Sequence, residues 1–200
     1  MAWVIVGLGN PGEEYERTRH STGRMAVQYF AKASSASAWR EDGKAKATVT
    51  KGALGKDLFA LVLPDTFMNK SGSALLKYVK SAKAAERMIV VYDDLDLPLG
   101  KIKISFDRGS GGHKGIESIT RAVKTKKFVR IRVGISPSTP SGKLRKPEGD
   151  EEVTKFILGR YRDAEMDVLK KGFSEVGDAI ATVMAGGHVL AMNRFNSDAR

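Results

Sequence analysis

The chain has 200 residues, 42% of them hydrophobic, which suits one compact domain over residues 1–200 with a sizeable core. It has no cysteine, which excludes a disulfide framework, a thiolate nucleophile and a zinc–thiolate site. Its 34 lysines and arginines against 23 acidic residues give a net charge of +11, which favours a polyanionic partner such as nucleic acid. A basic protein without such a partner is the alternative, because net charge also keeps proteins in solution.

Some locations and sites are disfavoured by what the sequence lacks. No signal-peptide pattern follows Met1, and no apolar stretch approaches the length that spans a bilayer. We therefore expect a cytosolic protein with no membrane association. The three histidines (His20, His113 and His188) are too far apart in the sequence to show ligand spacing, so we expect no metal site.

The first predicted strand, residues 3–6, leads into a turn with the glycine spacing of a dinucleotide-binding site, residues 7–12. In that fold the third glycine lies inside a helix that faces a pyrophosphate. Here Pro11-Gly12 signals a turn, and Glu13-Glu14 would repel a diphosphate. No second strand ends in an acidic residue about twenty residues further on, as ribose binding needs. The sequence therefore disfavours a nicotinamide or flavin oxidoreductase, and we expect no cofactor.

Strands and helices alternate along the chain. Further strands are predicted at residues 47–50, 59–63, 88–91, 102–104 and 129–135, and helices at residues 23–33, 71–81 and 115–123. This order predicts a single-domain layered α/β fold, with a twisted mixed β-sheet flanked by helices. The short intervals within 47–63 and 91–104 indicate antiparallel pairs.

The last third of the chain predicts a loop and a long helix. Residues 137–150 contain three prolines and two glycines, which predicts an exposed, mobile loop and a candidate lid. Apolar residues at three- and four-residue steps then predict a closing amphipathic helix at about 163–185, ended by Gly186-Gly187.

His20 is a candidate general base. It directly precedes the first predicted helix, for which Ser21 or Thr22 is the expected N-cap. The positive end of the helix dipole disfavours imidazolium there, and a general base must be neutral. A surface histidine with no chemical role is the alternative.

Asp93 is the candidate partner of His20. It follows a buried strand at its C-terminal end, as Asn10 follows the first strand. If these strands are parallel neighbours, both ends meet in the crevice where open α/β sheets bind ligands. A carboxylate there can hold a histidine N–H and fix its tautomer. The alternatives for Asp93-Asp94-Leu95-Asp96 are a Mg²⁺ cluster and a simple acidic turn.

Two other segments offer groups for recognition. The Asn69 amide suits a peptide-like carbonyl and N–H, although it could instead cap the helix that starts near Ser71. The glycine-rich segment 109–115 has amides free to contact a phosphate or an oxyanion. Strict alternation in residues 129–133 buries one face of that strand and turns Arg130 and Arg132 to the other.

Together these segments closely resemble the bacterial-type peptidyl-tRNA hydrolase family, and the likeness covers essentially the whole chain. The motifs that carry it, in order, are VGLGNPGEEYERTRH, LVLPDTFMNKSG, VVYDDLDLPLG, RGSGGHKGIESI and FVRIRVGI. The resemblance implies a monomeric, metal-independent esterase that cleaves the ester between a peptide and the 3′ ribose of tRNA. A catalytically weak or silent tRNA-binding relative is the alternative.

The resemblance also implies roles for individual residues. His20 would activate water, Asp93 would orient His20, and Asn10 would help to distinguish peptide-like substrates from free aminoacyl-tRNA. The other implied substrate-binding residues are Tyr15, Phe67, Met68, Asn69, His113 and Lys114. The implied tRNA phosphate-binding residues are Lys103, Arg108, Arg130, Arg132 and Lys143.

Two positions depart from the family pattern, in which Asn usually stands where this chain has Ser21 and Lys114. The second Asn is expected to bind substrate or water near the ester. Lysine only donates hydrogen bonds and adds a full charge, so it cannot replace an acceptor. We expect activity with altered rate or specificity.

Overall fold

Seven strands form one mixed sheet in the order β2-β3-β4-β1-β5-β7-β6. The structure, a computed structural model, describes residues 2–197. The strands are β1 (Trp3–Gly7), β2 (Arg40–Asp42), β3 (Ala47–Leu54), β4 (Asp57–Pro64), β5 (Met88–Pro98), β6 (Ile102–Phe106) and β7 (Val129–Ser136). Strands β4, β1, β5 and β7 pair in parallel, while β2, β3 and β6 join through antiparallel pairings. The predicted α/β fold with a mixed sheet is confirmed.

Helices cover both faces of this sheet. They are α1 (Thr22–Ala33), α2 (Ala82–Ala85), α3 (Lys114–Val123), α4 (Asp150–Leu158) and α5 (Asp163–Phe195), with 3₁₀ segments at Glu13–Tyr15, Arg19–Ser21 and Met68–Leu75. One face, including Ile5 and Ile89, packs on α1 and α5. The other, including Val6 and Val90, packs on α3 and the long 3₁₀ segment. Burial on both faces is why these strands read as continuous apolar runs.

One predicted helix is wrong. Residues 71–81 do not form an α-helix, because the chain makes the 3₁₀ segment Met68–Leu75 and then the short α2. The hydroxyls of Ser71 and Ser73 donate to the carbonyls of Met68 and Lys70. Such local side-chain bonds compete with the regular helical pattern.

The two predicted antiparallel pairs have different outcomes. The pair within 47–63 is confirmed as β3 and β4. The pair within 91–104 is wrong, because β7 lies between β5 and β6. Strand β6 is antiparallel to β7 instead. Pairing with a strand that comes later in the chain leaves no local signal in the sequence.

Three elements were not predicted, the short edge strand β2 and the helices α2 and α4. Helix α4 has no buried residue, so its sequence lacks a strong apolar stripe. It follows an irregular segment at 137–149, whose mobility stays a prediction. Helix α5 is interrupted by the non-helical Gly187, near the predicted end, and then continues to Phe195. The Asn196 side chain ties this end to the backbone of Ile104 on β6.

The turn after β1 lacks the helix that a dinucleotide-binding turn requires. Gly12 has a φ of 107°, outside any helix, and it precedes a single 3₁₀ turn. This agrees with the turn predicted at Pro11-Gly12. Within residues 2–197, no helix is long and apolar enough to cross a membrane.

Candidate active site

His20 and Asp93 meet at the carboxyl end of the parallel strands. Strands β1 and β5 are parallel neighbours, so the turn after β1 and the later residues of β5 lie at the same edge. Gly23 allows α1 to approach β5 closely, because a Cβ there would lie 2.0 Å from the Val91 carbonyl oxygen. The 3₁₀ turn that precedes α1 therefore places His20 against Asp93.

The Asp93 carboxylate joins two histidines. His20 Nδ1 lies 2.9 Å from Oδ2, and His113 Nε2 lies 3.1 Å from Oδ1. His113 Nδ1 accepts from the backbone N–H groups of Gly115 and Ile116, so its proton is on Nε2 and is donated to Asp93. His20 donates through Nδ1, which leaves its Nε2 with a lone pair. This is the tautomer that a general base needs.

Electrostatics favour a charged carboxylate beside a basic imidazole. Burial raises the pKa of Asp93, but the charges and hydrogen bonds of His20 and His113 hold it well below its usual range. Burial lowers the pKa of His20 and Lys114 lowers it further, yet the Asp93 charge and hydrogen bond raise it above its ordinary value. The helix dipole predicts the opposite direction for His20. The adjacent carboxylate outweighs it because charges interact strongly at short range in a buried site.

Two of the histidines lie close together in the structure although they are far apart in the sequence. His20, Asp93 and His113 present nitrogen and oxygen atoms within 4.8 Å of one another, a spacing that could hold a metal ion. The ring nitrogens that face Asp93 are hydrogen-bond donors to it, so a metal would require both rings to give up those protons. The Mg²⁺ alternative for residues 93–96 is disfavoured, because Asp93 is bonded to two histidines, Asp94 pairs with Arg132 and Asp96 pairs with Lys146.

Candidate substrate-binding groups lie around the turn after β1. The Asn10 side-chain oxygen accepts from the Met68 backbone N–H at 2.9 Å, so its amide hydrogens remain available to donate. Tyr15 and Phe67 form an edge-to-face pair, and Phe67 is 58% exposed. Asn69 is exposed, and it is not a helix cap because Phe67 holds that position.

Two predicted substrate contacts have supporting positions instead. The Met68 side chain is buried, and its sulfur lies close to Gly115 at the start of α3. His113 holds Asp93 and caps α3, a role that the sequence analysis missed. No local pattern signals it, because the bond spans 20 residues.

The predicted phosphate-binding residues separate into two groups. Arg132 on β7 lies directly opposite Lys103 on β6, and it pairs with Asp94 at 2.9 Å. Both are partly exposed, and Arg108 and Lys143 are exposed. These four remain candidates for phosphate contact.

The structure contradicts the predicted phosphate contact of Arg130. Its side chain does leave the sheet on the same face as that of Arg132, but the residue is only 1% exposed. Its guanidinium donates to the carbonyls of Arg108 and Gly109 at 2.6 Å each and lies over the Phe128 ring. Arg130 therefore holds the backbone at the start of the glycine-rich segment.

Comparison with known proteins agrees with this geometry. The model of the family described as Peptidyl-tRNA hydrolase matches residues 4–200. The chain belongs to the peptidyl-tRNA hydrolase family.

Individual family members are similar over most of their length. The peptidyl-tRNA hydrolase of Chloroflexus aggregans is 37% identical over 97% of this chain and 98% of its own. That of Herpetosiphon aurantiacus is 40% identical over 98% of this chain and 91% of its own. The crystal structure of the Acinetobacter baumannii peptidyl-tRNA hydrolase has 29% identity and a TM-score of 0.85, covering 98% of this chain and 95% of that one.

The two departures from the family pattern differ in position. Ser21 is buried and accepts from the Thr18 hydroxyl at 3.3 Å, so it belongs to the turn that carries His20. Lys114 is exposed at the start of α3, close enough for its charge to lower the pKa of His20. Within residues 2–197 it has no acidic partner. An unpaired cation beside the base is free to meet an anionic substrate.

We expect Lys114→Ala to raise KM in a salt-sensitive way, because an exposed ammonium on a glycine-rich segment that Arg108 also flanks suits a phosphate contact. Removing the charge should also raise the pKa of His20, so the acidic limb of the pH–rate profile moves to higher pH. Steady-state kinetics at several salt concentrations and pH values measure both effects.

Two other outcomes would contradict the phosphate role. A fall in kcat of about 10²–10³-fold at saturating substrate would assign Lys114 to the developing oxyanion instead. A tenfold gain in turnover in Lys114→Asn would mean that the lysine weakens the site, and it would favour the weak-enzyme alternative.

Proposed function

We propose that this protein hydrolyses the ester that joins a peptide to tRNA in peptidyl-tRNA, with His20 as general base and Asp93 as its orienting group. The observation that carries the proposal is the His20–Asp93 pair, with Nδ1 bonded at 2.9 Å and Nε2 left with a lone pair. Membership of the peptidyl-tRNA hydrolase family supports the choice of substrate.

The chemistry follows from the free Nε2 of His20. Nε2 takes a proton from a water molecule while the water oxygen attacks the ester carbonyl carbon. The tetrahedral intermediate then collapses, the bond to the ribose 3′ oxygen breaks, and the imidazolium returns its proton to that oxygen. Asp93, held ionised by its two histidines, stabilises the imidazolium between these steps.

The turn after β1 supports selection of a peptide over a free amino acid. The Asn10 amide hydrogens can donate to a peptide carbonyl, and the exposed Asn69 amide can both donate and accept. The Tyr15–Phe67 pair offers an apolar surface to the side chains of the peptide. A free aminoacyl-tRNA lacks the second carbonyl, so it loses these contacts.

Positive charge on β6 and β7 supports tRNA binding along the side of the sheet that these two strands form. We assign phosphate contacts to Lys103, Arg108, Arg132 and Lys143, each of them at least partly exposed. We also place the protein in the cytoplasm as a monomer, in line with a family that acts in translation. Light scattering of the purified protein tests the oligomeric state.

The direct test is the release of free tRNA from N-acetylated aminoacyl-tRNA, with and without EDTA and against the unblocked aminoacyl-tRNA. We expect turnover that EDTA leaves unchanged and that is much slower on the unblocked substrate. Loss of turnover in EDTA would contradict a base-only mechanism. Binding of the substrate without turnover would favour the silent tRNA-binding relative.

Arg132 provides a test of the tRNA-binding edge. Binding should weaken linearly in a log–log plot against salt, because phosphate contacts release counterions. Arg132→Ala should weaken binding and lower the slope by about one unit. Arg40→Ala is the matched control, because Arg40 is exposed on β2 at the opposite edge of the sheet. A slope unchanged in Arg132→Ala would remove Arg132 from the phosphate contacts.

A further inference from the structure

The backbone around His20 is tied to the connection between α4 and α5. The Arg19 N–H donates to the Gly159 carbonyl at 3.1 Å, and the Tyr161 N–H donates to the Arg17 carbonyl at 2.9 Å. Thr18 and Arg160 form a β-bridge between these two bonds. The turn that carries the base therefore pairs with a segment about 140 residues away in the chain.

The Arg19 side chain adds to this pairing. One terminal nitrogen donates to the carbonyls of Gly159 and Arg160 at 3.2 Å each, and the other to Glu165 at 2.9 Å. The guanidinium carbon also lies over the rings of Phe156 on α4 and Tyr161, 4.6 and 5.0 Å from their centroids. A planar group with several donors can make all these contacts at once, whereas an ammonium cannot.

Burial distinguishes this ion pair from its neighbour. The side chains of Arg19 and Glu165 are 12% and 11% exposed. Arg17 and Asp163 link the same two segments, but their side chains are 48% and 94% exposed. Exposed pairs are screened by water and contribute little. The chain thus contains a mostly buried arginine–carboxylate pair and an exposed one, two residues apart, on the same pair of segments.

We propose that Arg19 is a positioning residue that holds the His20 base in line with Asp93 through the α4–α5 connection. His20 directly follows Arg19, and its ring meets Asp93 through one 2.9 Å bond. A shift of the turn would tilt the ring away from Asp93 and move Nε2 from the attacking water. A misplacement of about 1 Å can lower a rate about 10²-fold. The expected effect on the rate rests on the proposed hydrolysis, whereas the expected effect on the position of the His20 ring does not.

The kinetic test compares Arg19→Gln, Arg19→Lys and the control Arg17→Gln on N-acetylated aminoacyl-tRNA. We expect Arg19→Gln to lower kcat roughly 10–100-fold with KM within about twofold. Arg19→Lys should recover part of kcat because it keeps the charge facing Glu165, and Arg17→Gln should match the parent protein. A rise in KM with unchanged kcat would show that Arg19 binds substrate, and it would overturn the positioning role.

A second measurement does not depend on turnover. The His20 Nδ1 proton, hydrogen-bonded to Asp93, should give a protected downfield signal in the proton NMR spectrum of the parent protein and of Arg17→Gln. It should broaden or disappear in Arg19→Gln. An unchanged signal in Arg19→Gln would overturn the proposal, even if the protein had no turnover and the proposed function failed.

Glu165→Gln covers the case in which Arg19→Gln does not fold. It keeps the bonds of Arg19 to Gly159 and Arg160 and removes the carboxylate charge that faces Arg19. The other oxygen of Glu165 accepts from the Arg162 backbone N–H at 2.8 Å, a bond that the glutamine carbonyl can still accept. We expect a smaller fall in kcat in the same direction and a weaker Nδ1 signal. Parent values of both, in a variant that circular dichroism shows to be folded, would overturn the role of this pair.

Discussion

Replacing His20 with alanine should lower kcat by about 10²–10⁴-fold, because general-base assistance contributes that much to a rate. The parent rate should fall as pH drops through the pKa of His20, since the ring must be neutral to take a proton. That pKa lies above the ordinary value because Asp93 outweighs burial, so the fall begins at a higher pH than for a free histidine. Turnover of N-acetylated aminoacyl-tRNA across pH measures both effects.

His188→Ala is the control for this variant. His188 stacks on Phe106, 4.0 Å between ring centroids, and takes no part in the bonds around Asp93. It should keep the parent kcat and pH profile. Turnover near the parent level in His20→Ala would remove His20 from the mechanism and with it the proposed chemistry.

Asp93→Asn should lower kcat by up to roughly 10⁴-fold, as in other carboxylate–histidine pairs whose carboxylate is replaced by an amide. The backbone N–H groups of Gly115 and Ile116 keep the His113 proton on Nε2, so the oxygen of the introduced amide must face His113. The NH₂ group of that amide then faces His20 Nδ1, which must become an acceptor. The His20 proton moves to Nε2, and the base is lost.

The pH profile checks this explanation. Removing the carboxylate removes the main cause that raises the pKa of His20, so the remaining activity should extend to lower pH. Asp96→Asn is the matched control, because Asp96 is exposed and pairs with Lys146. The fold should stay intact, with a circular dichroism spectrum like that of the parent. A kcat unchanged in Asp93→Asn would exclude the orienting role.

Periodicity and local chemistry predicted most of the strands and the two candidate residues of the base–carboxylate pair. Strands buried on both faces are continuous apolar runs, so β1 and the buried part of β5 could be predicted from the sequence. Their polar ends, Asn10 and Asp93, point to a site because neighbouring parallel strands end at the same edge. The elements that were missed are those without a clear pattern, namely the short β2 and α2, the 3₁₀ segment Met68–Leu75 and the exposed α4.

Residue order was enough to predict the fold class and the family correctly and to nominate His20 and Asp93 as the catalytic pair, because local composition and motif order carry this information. How those side chains act on one another emerged from the folded chain. Folding placed His113 on Asp93, buried Arg130 under the glycine-rich segment and joined Arg19 to Glu165. Folding also brought Asp93 beside His20, which raises the pKa of His20, whereas the helix dipole alone would lower it. These are contacts between segments far apart in the chain, and their energies depend on distance and burial, which residue order does not contain.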